Sequence, residues 1–141
     1  MSTTYIFQAL RKAVVIRAKG ICEYCLIPEV YSLSIPYHID HIISEKHRGL
    51  RTIDNLALAC PICNINKGSD VATFLHDIKV TVPLYNPRVD KWGAHFRLDQ
   101  SGELIPLSEV GQGTIFLLKL NDDETNVLRK VLVNGGIKLT P

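Results

Sequence analysis

The side chains best suited to chemistry are concentrated in one stretch of the chain, between Tyr37 and Ser69. This stretch holds an adjacent aspartate and histidine, two asparagines and a Cys-x-x-Cys pair, in the sequence YHIDHIISEKHRGLRTIDNLALACPICNINKGS. Carboxylate and amide oxygens bind hard divalent cations, a neutral imidazole accepts protons, and thiolates bind zinc. We interpret the stretch as a site that can bind metal ions and transfer protons.

Two Cys-x-x-Cys pairs account for all four cysteines, Cys22 with Cys25 and Cys60 with Cys63. Each pair can present two thiolates to one ion from a tight turn, and two pairs complete the tetrahedral shell of a structural zinc site. A redox pair and buried free thiols are the competing interpretations, and either leaves the second pair unexplained. The spacing therefore predicts one Zn²⁺ ion held by four cysteines.

The two cysteine pairs are far apart, because 34 residues lie between Cys25 and Cys60. A simple two-knuckle zinc ribbon has about 15 to 20 residues at this point. The aspartate and histidine, Asp40 and His41, lie inside the insertion. We expect zinc to clamp both ends of a functional element, so that loss of the metal unfolds the site.

Five motifs, in order, resemble the HNH endonuclease family, specifically its members with four zinc-binding cysteines. They are CEYC at 22–25, HIDHI at 38–42, NL at 55–56, CPICN at 60–64 and KG at 67–68. The resemblance covers about residues 20 to 70 and implies a ββα-metal fold, in which one divalent ion lies between a strand and the following helix. It also implies hydrolysis of DNA phosphodiester bonds with 5′-phosphate products.

The resemblance further implies a role for each polar residue of the core. His41 is expected to be the general base, held in one tautomer by a hydrogen bond on its other ring nitrogen. Asp40 and Asn64 are expected to bind Mg²⁺, Mn²⁺ or another divalent cation, with His38 as a further ligand or substrate contact. Asn55 matches the middle asparagine and is expected to tie the loop that orients His41.

Each of these residues also has an ordinary structural explanation. The HIDH sequence suits a polar edge strand, Asn55 suits a turn, and Asn64 suits a helix N-cap beside a zinc knuckle. Their joint occurrence between the cysteine pairs favours the catalytic interpretation. Lys67, Arg48 and Arg51 are candidate phosphate contacts near the expected cation, although a solvated surface position explains each equally well.

The core must be built from a helix, two strands and a second helix. Apolar residues at spacings of three and four predict a helix over 4–19, capped by Ser2, Thr3 or Thr4 and ended by Gly20. Strands are expected over 38–43 and 56–59, followed by a helix over 64–78 that Gly68-Ser69-Asp70 interrupts or ends. Successive strand residues face opposite ways, so presenting both Asp40 and His41 requires a bulge or the strand end.

The rest of the chain is expected to form an extension packed on this core. It contains irregular chain from residue 78, a hairpin pairing 94–98 with 103–107, and helices at about 108–120 and 122–133. The predicted fold class is α+β, a small ββα-metal core with a four-cysteine zinc site, an N-terminal helix and a hairpin-plus-helices extension. The expected division is 1–76 and 77–141, within one structural domain.

Composition limits the classes of protein that the sequence allows. The 141 residues are 46% hydrophobic and 21% charged, as in soluble globular proteins. No apolar run approaches the roughly 20 residues of a membrane span, and the N-terminus lacks a signal-peptide core, so a cytoplasmic protein without membrane association is expected. The formal net charge of +2 does not by itself indicate a nucleic-acid binder. The expectation that the protein binds double-stranded DNA rests instead on the resemblance to HNH endonucleases. No sequence pattern indicates a protein partner.

Functions of other classes remain open at the level of sequence. The main alternative to a metal-dependent endonuclease is a non-catalytic, zinc-stabilised nucleic-acid-binding or adaptor module, which the modest charge motivates. A thiol redox protein is a third interpretation, and it requires an exposed, nucleophilic thiolate in a Cys-x-x-Cys pair.

Overall fold

The computed structural model describes residues 6–32 and 35–141 of the chain. The helices are α1 (Gln8–Ala18), α2 (Pro61–Lys67), α3 (Trp92–His95), α4 (Glu109–Leu118) and α5 (Asp123–Asn134). The strands are β1 (His38–His41), β2 (Leu56–Ala59), β3 (Ala72–Leu75), β4 (Val80–Pro83), β5 (Phe96–Leu98) and β6 (Leu104–Pro106). The strands form three antiparallel pairs, β1 with β2, β3 with β4, and β5 with β6.

The first strand pair and the helix after it form the predicted ββα unit. Strand β1 pairs with β2 so that Asp40 lies opposite Ala57 and His41 opposite Leu56. All four residues of β2 are buried, since the strand is covered by helix α1. Helix α2 begins two residues after β2 and contacts both strands. The mixed α+β class and the order strand, loop, strand, helix are confirmed.

Helix α1 is shorter than the predicted helix over 4–19. Within the described residues it begins at Gln8, and the expected caps Ser2, Thr3 and Thr4 lie outside them. Its end agrees with the prediction, because Lys19 and Gly20 both adopt left-handed backbone (φ 56° and 69°) immediately after Ala18. Glycine favours this conformation and commonly ends helices.

The predicted helix over 64–78 is wrong beyond Lys67. Helix α2 begins earlier, at Pro61, and Gly68 ends it with φ 53° and ψ −130°. The following residues form strand β3, whose Ala72 and Leu75 lie opposite Pro83 and Val80 of β4. The segment VATF combines β-branched and aromatic side chains, which suit a strand once a partner strand is available.

The extension follows the predicted elements and shares its core with the ββα unit. The hairpin of β5 and β6 lies within the predicted pairing, and helices α4 and α5 lie close to their predicted ranges. One cluster of buried apolar side chains runs from Val14 to Leu139. The boundary expected between residues 76 and 77 falls in the turn joining β3 to β4.

Glycine allows the closest contact between the extension and the β3–β4 hairpin. A Cβ atom on Gly113 of α4 would lie 2.8 Å from Thr73 Cγ2 and 2.9 Å from Val82 Cγ2. Helix α4 also contacts α2, and Asn66 of α2 donates a hydrogen bond to Leu118 O at 2.9 Å. The extension is therefore attached directly to the helix that follows the second cysteine pair.

In the part of the chain that the structure describes, every helix is too short or too polar to cross a membrane.

Candidate active site and zinc cluster

The two cysteine pairs converge into one buried cluster. Cys22 and Cys25 lie in the turn after α1, Cys60 precedes α2, and Cys63 lies in its first turn. Their four sulfur atoms all lie within 4.8 Å of one another, and Cys25 Sγ lies 3.8 Å from Cys60 Sγ. Tetrahedral zinc with Zn–S bonds of about 2.3 Å requires sulfur separations of about 3.8 Å. The four-cysteine set therefore fits a structural zinc ion.

The four thiols influence one another's protonation. Hydrogen bonds from the other three thiols lower the pKa of Cys60. Hydrogen bonding to Cys22 raises the pKa values of Cys25 and Cys63, and burial raises them further. A metal ion must displace the remaining protons, so zinc binding weakens in acid. The cysteines are also at most 8% exposed, which disfavours thiol exchange with another protein.

Asp40 and His41 occupy the last two positions of strand β1. The strand ends there, as expected if two consecutive residues are to serve one site, and both side chains are only 4% exposed. They line one cleft of about 440 Å³ together with His38 and Asn64. The structure therefore brings together the general base and the three cation ligands expected from the sequence.

The Asp40 carboxylate is held by two donors. The Tyr24 hydroxyl donates to Oδ2 at 2.7 Å, and the Lys67 ammonium lies 3.1 Å from Oδ2 and 3.3 Å from Oδ1. Burial raises the pKa of Asp40, whereas the charge of Lys67 and the Tyr24 hydrogen bond act in the opposite direction. These two partners favour the ionised carboxylate that cation binding requires.

The position of Lys67 corrects its expected role as a phosphate contact. Its side chain is 2% exposed, is ion-paired with Asp40, and donates to the backbone oxygen of His41 at 3.0 Å. The reason is helix phase, because Lys67 follows Cys63 and Asn64 by four and three residues and shares their buried face. Lys67 therefore contacts the end of strand β1 from the buried face of α2 and does not reach the surface.

The imidazole of His41 has no hydrogen-bond partner among the described residues. Both ring nitrogens are buried and unpaired, and the nearest carboxylate oxygen, Glu45 Oε1, lies 3.8 Å from Nε2. The expected hydrogen bond that fixes one tautomer is therefore not found among these contacts. Neither nitrogen is therefore engaged by a described protein group.

Asn55 ties the loop between β1 and β2, as its expected role requires. Its Oδ1 accepts from Ile43 N at 2.9 Å, while Nδ2 donates to Ile43 O at 2.9 Å and to Leu50 O at 2.8 Å. Gly49 fits beneath this bridge, because a Cβ there would lie 1.6 Å from Ile43 O. Position 49 therefore requires glycine because the backbone of Ile43 lies so close to it, and not because of its φ angle.

Asn64 lies on the first half of helix α2 and is 7% exposed. Its backbone takes part in the helix, but its side-chain amide makes no hydrogen bond to a described residue. The amide therefore remains available to the cleft that it lines. This arrangement differs from the helix N-cap that the sequence allowed, since Cys60 occupies that position.

The cleft offers few side chains that could bind a divalent cation. Among the described residues, the cysteines are the sole group of three or more His, Cys, Asp or Glu side chains that could share an ion. A cation at the cleft would accordingly rely on Asp40, the neutral Asn64 amide and water or phosphate oxygens, with His38 as the additional candidate. Sparse protein coordination suits Mg²⁺, which keeps several water ligands.

The basic residues are distributed differently from the expectation. Arg48 and Arg51 are exposed on the β1–β2 loop but do not line the cleft. Lys46 lines it, next to Glu45, and sequence reasoning missed both residues. Glu45 and Lys46 follow His41 by only four and five residues. Their closeness in sequence could have indicated a position near the cleft, because a short helical turn over Glu45–His47 returns the chain toward the end of β1.

Tyr24 is the other functional candidate that the sequence did not reveal. It lies between the first two cysteines, where a tyrosine is readily explained as core packing, and its partner Asp40 is 16 residues away. No periodic pattern relates the two positions.

Together, the fold and the clustered side chains define a small ββα domain with a four-cysteine cluster that could hold a zinc ion. Residues 22–70 match the family model described as HNH endonuclease, and this segment is an HNH domain. The extension after residue 70 lies outside the match. No curated protein and no solved structure matches the chain.

Proposed function

We propose that the protein is a metal-dependent endonuclease that hydrolyses phosphodiester bonds in double-stranded DNA. The observation that carries the proposal is the shared cleft of Asp40, His41 and Asn64 within an HNH domain, with both His41 nitrogens unpaired. Neutral imidazole can take a proton, and oxygen ligands suit a hard cation, so the chemistry of the lining residues matches the reaction.

In the proposed reaction, a water oxygen bonds to phosphorus while its proton passes to a ring nitrogen of His41. The bond from phosphorus to the 3′ oxygen breaks, and the departing oxygen takes a proton from solvent water, which leaves a 5′-phosphate and a 3′-hydroxyl. When bound, a divalent cation supplies charge neutralisation at the phosphoryl oxygens and at the departing oxygen. Asp40 and Asn64 would hold it, and His38 is the tentative additional ligand. Asn55 holds the loop beside the general base.

A supercoiled plasmid assay tests this proposal directly. Zinc-loaded protein is incubated with plasmid and Mg²⁺ or Mn²⁺, and relaxed and linear products are measured. His41→Ala should lower nicking by at least 100-fold, in line with general-base contributions of about 10² to 10⁴. His47→Ala is the matched control, since His47 is exposed on the adjacent loop and does not line the cleft.

Two outcomes contradict the proposal. One is no nicking by wild-type protein with any divalent cation, and the other is equal nicking by wild type and His41→Ala. A labelled RNA duplex of the same sequence, assayed in parallel, tests whether DNA is the preferred substrate.

A second candidate function is a zinc-stabilised nucleic-acid-binding or adaptor module without turnover. The specific observation in its favour is that the Asp40 carboxylate is already satisfied by Tyr24 and Lys67, as in a purely structural ion pair. In this case DNA binding should depend on salt and should be unaffected by His41→Ala, with no cleavage by either protein.

A further inference from the structure

Tyr24 links the first zinc knuckle to the catalytic strand through a buried hydrogen bond. Its side chain is 1% exposed, it lies between Cys22 and Cys25, and its hydroxyl donates to Asp40 Oδ2 at 2.7 Å. A hydroxyl donating to a carboxylate over this distance is a charge-assisted hydrogen bond, stronger than one between neutral groups. The contact is well suited to fix the orientation of the Asp40 carboxylate.

Both the backbone and the ring of Tyr24 are held by neighbouring aromatic residues. Trp92 Nε1 donates to the backbone oxygen of Tyr24 at 3.3 Å, and the ring of Tyr85 meets the Tyr24 ring edge-on with centroids 6.4 Å apart. The neighbouring Glu23 makes two hydrogen bonds with Leu58 of β2. Glu23 N donates to Leu58 O at 2.9 Å, and Leu58 N donates to Glu23 Oε2 at 2.8 Å. Two hydrogen bonds therefore connect the first knuckle to strand β2.

The second zinc knuckle provides the other partner of the carboxylate. Lys67 lies four residues after Cys63 on α2, and its ammonium contacts both oxygens of Asp40, at 3.1 Å and 3.3 Å. A carboxylate has about four acceptor positions, two on each oxygen. Oδ2 accepts the hydrogen bond of Tyr24 and lies within ion-pair distance of Lys67, whereas Oδ1 accepts one hydrogen bond, from Lys67. Oδ1 is therefore the less crowded of the two oxygens.

We propose that Tyr24 is a positioning residue that, together with Lys67, presents Oδ1 of Asp40 to the divalent cation as a single-oxygen ligand. Both donors are carried by the zinc knuckles, so the zinc site sets the orientation of a ligand at the second metal site. This inference rests on the proposed function, because it requires a cation at Asp40. Partners of metal ligands commonly influence affinity in this way.

The test measures Mn²⁺ binding to zinc-loaded protein by electron paramagnetic resonance, without any substrate. Tyr24→Phe removes only the hydroxyl and should weaken Mn²⁺ binding about tenfold, at the lower end of the range for such partners. Tyr37→Phe is the matched control, because Tyr37 is also buried beside the zinc cluster and donates to a backbone oxygen, Ile27 O, at 2.9 Å. It should bind Mn²⁺ as the wild type does.

A double-mutant cycle separates positioning from general damage to the fold. In an Asp40→Asn background Tyr24→Phe should have no further effect on Mn²⁺ binding, because its route of action has been removed. An equal loss in both backgrounds, or unchanged binding by Tyr24→Phe, overturns the inference. The zinc content and the thermal unfolding midpoint of each variant are also measured, and only variants that are folded and hold zinc are compared.

A measurement on the unsubstituted sequence covers the case in which Tyr24→Phe does not fold. With 3-fluorotyrosine incorporated, the ¹⁹F resonance of Tyr24 should shift on addition of Mg²⁺, whereas that of Tyr37 should not. Equal responses, or none at Tyr24 while Mg²⁺ binds, contradict the inference. If the wild-type protein binds no divalent cation at all, the proposed function itself fails, and this outcome differs from failure of the positioning role alone.

Discussion

The guanidinium of Arg129 on α5 donates a hydrogen bond to the backbone oxygen of Cys25, 104 residues earlier in the chain, at 3.3 Å. Arg129 is 0% exposed, and its further contacts are backbone and amide oxygens, those of Gly102, Leu120, Asn121 and Asn126. No carboxylate of the described residues lies within ion-pair distance of it. Burial lowers the pKa of Arg129, and the neighbouring cysteines counteract this effect. The last helix is thus bonded to the zinc knuckle.

Replacing Arg129 should destabilise the whole protein. Arg129→Met leaves several buried oxygens without a donor, and since each such group costs about 1–3 kcal/mol, we expect a loss of at least about 3 kcal/mol in the free energy of unfolding. Urea unfolding of zinc-loaded protein measures this loss. Arg97→Met is the control, because Arg97 is exposed on β5 and should change stability by less than about 0.5 kcal/mol. Equal stability of the two variants would show that Arg129 is dispensable.

Removing zinc should unfold the domain. Structural zinc contributes roughly 10–16 kcal/mol, as much as or more than the total stability of a typical domain, about 5–15 kcal/mol. Circular dichroism during titration with a zinc chelator should show loss of structure in step with zinc release, and added Zn²⁺ should restore it. Cys60→Ser should behave as the chelated protein does, and native spectra without bound zinc would refute the expectation.

Lys67→Met should be destabilising in a manner that depends on pH. The substitution leaves the buried Asp40 charge without its ion-pair partner, at a cost of about 3–5 kcal/mol. Because Lys67 lowers the pKa of Asp40, its loss raises that pKa further. A folded-state carboxyl with a raised pKa binds protons before the unfolded one, so stability falls as pH rises through that range. The deficit of the variant relative to wild type should therefore shrink as pH falls.

Two controls accompany the Lys67 prediction. Adding Asp40→Asn removes the unpaired charge and should recover part of the lost free energy of unfolding. Lys46→Met, at an exposed position, should be nearly neutral. The predicted coupling would be excluded if urea unfolding gave additive effects for Lys67→Met and Asp40→Asn.

Asn55→Ala should impair cleavage more than folding. The substitution removes three hydrogen bonds that close the β1–β2 loop, and the unpaired groups should cost about 1–3 kcal/mol of stability. A loop displaced by about 1 Å beside the general base can lower the rate by about 100-fold. Plasmid nicking and thermal unfolding measure the two effects separately. Asn66→Ala, which loses one bond to Leu118 O, should retain nicking.

Much of the core was predictable because its determinants are local or tied to fixed spacing. Two Cys-x-x-Cys pairs predict one zinc cluster, and four consecutive apolar residues after Asn55 predict a buried strand. The paired strands and the adjacent helix then place Asp40, His41 and Asn64 in one cleft. Their shared site was expected from the resemblance of these motifs to the HNH family, since the order of the elements alone does not select the side chains.

The errors have a different physical origin, since they depend on partners distant in sequence. The segment over 72–75 becomes a strand because residues 80–83 return beside it, through a turn in which Lys79 takes a left-handed conformation (φ 55°). That turn has no glycine or asparagine to announce it. Likewise, the burial of Lys67 depends on which face of α2 it occupies. That face can be assigned from the sequence only once the helix is known to begin at Pro61.

The separation of the two cysteine pairs also bears on how the protein acquires its metal during synthesis. The first pair leaves the ribosome well before the second, and closing the intervening 34 residues costs roughly 3 kcal/mol of chain entropy. Pairing of β1 with β2 shortens this loop and so lowers the cost of bringing four sulfurs around one ion. Zinc uptake and formation of the β1–β2 hairpin therefore favour each other, and the ion that joins the two cysteine pairs also holds the strand that carries Asp40 and His41.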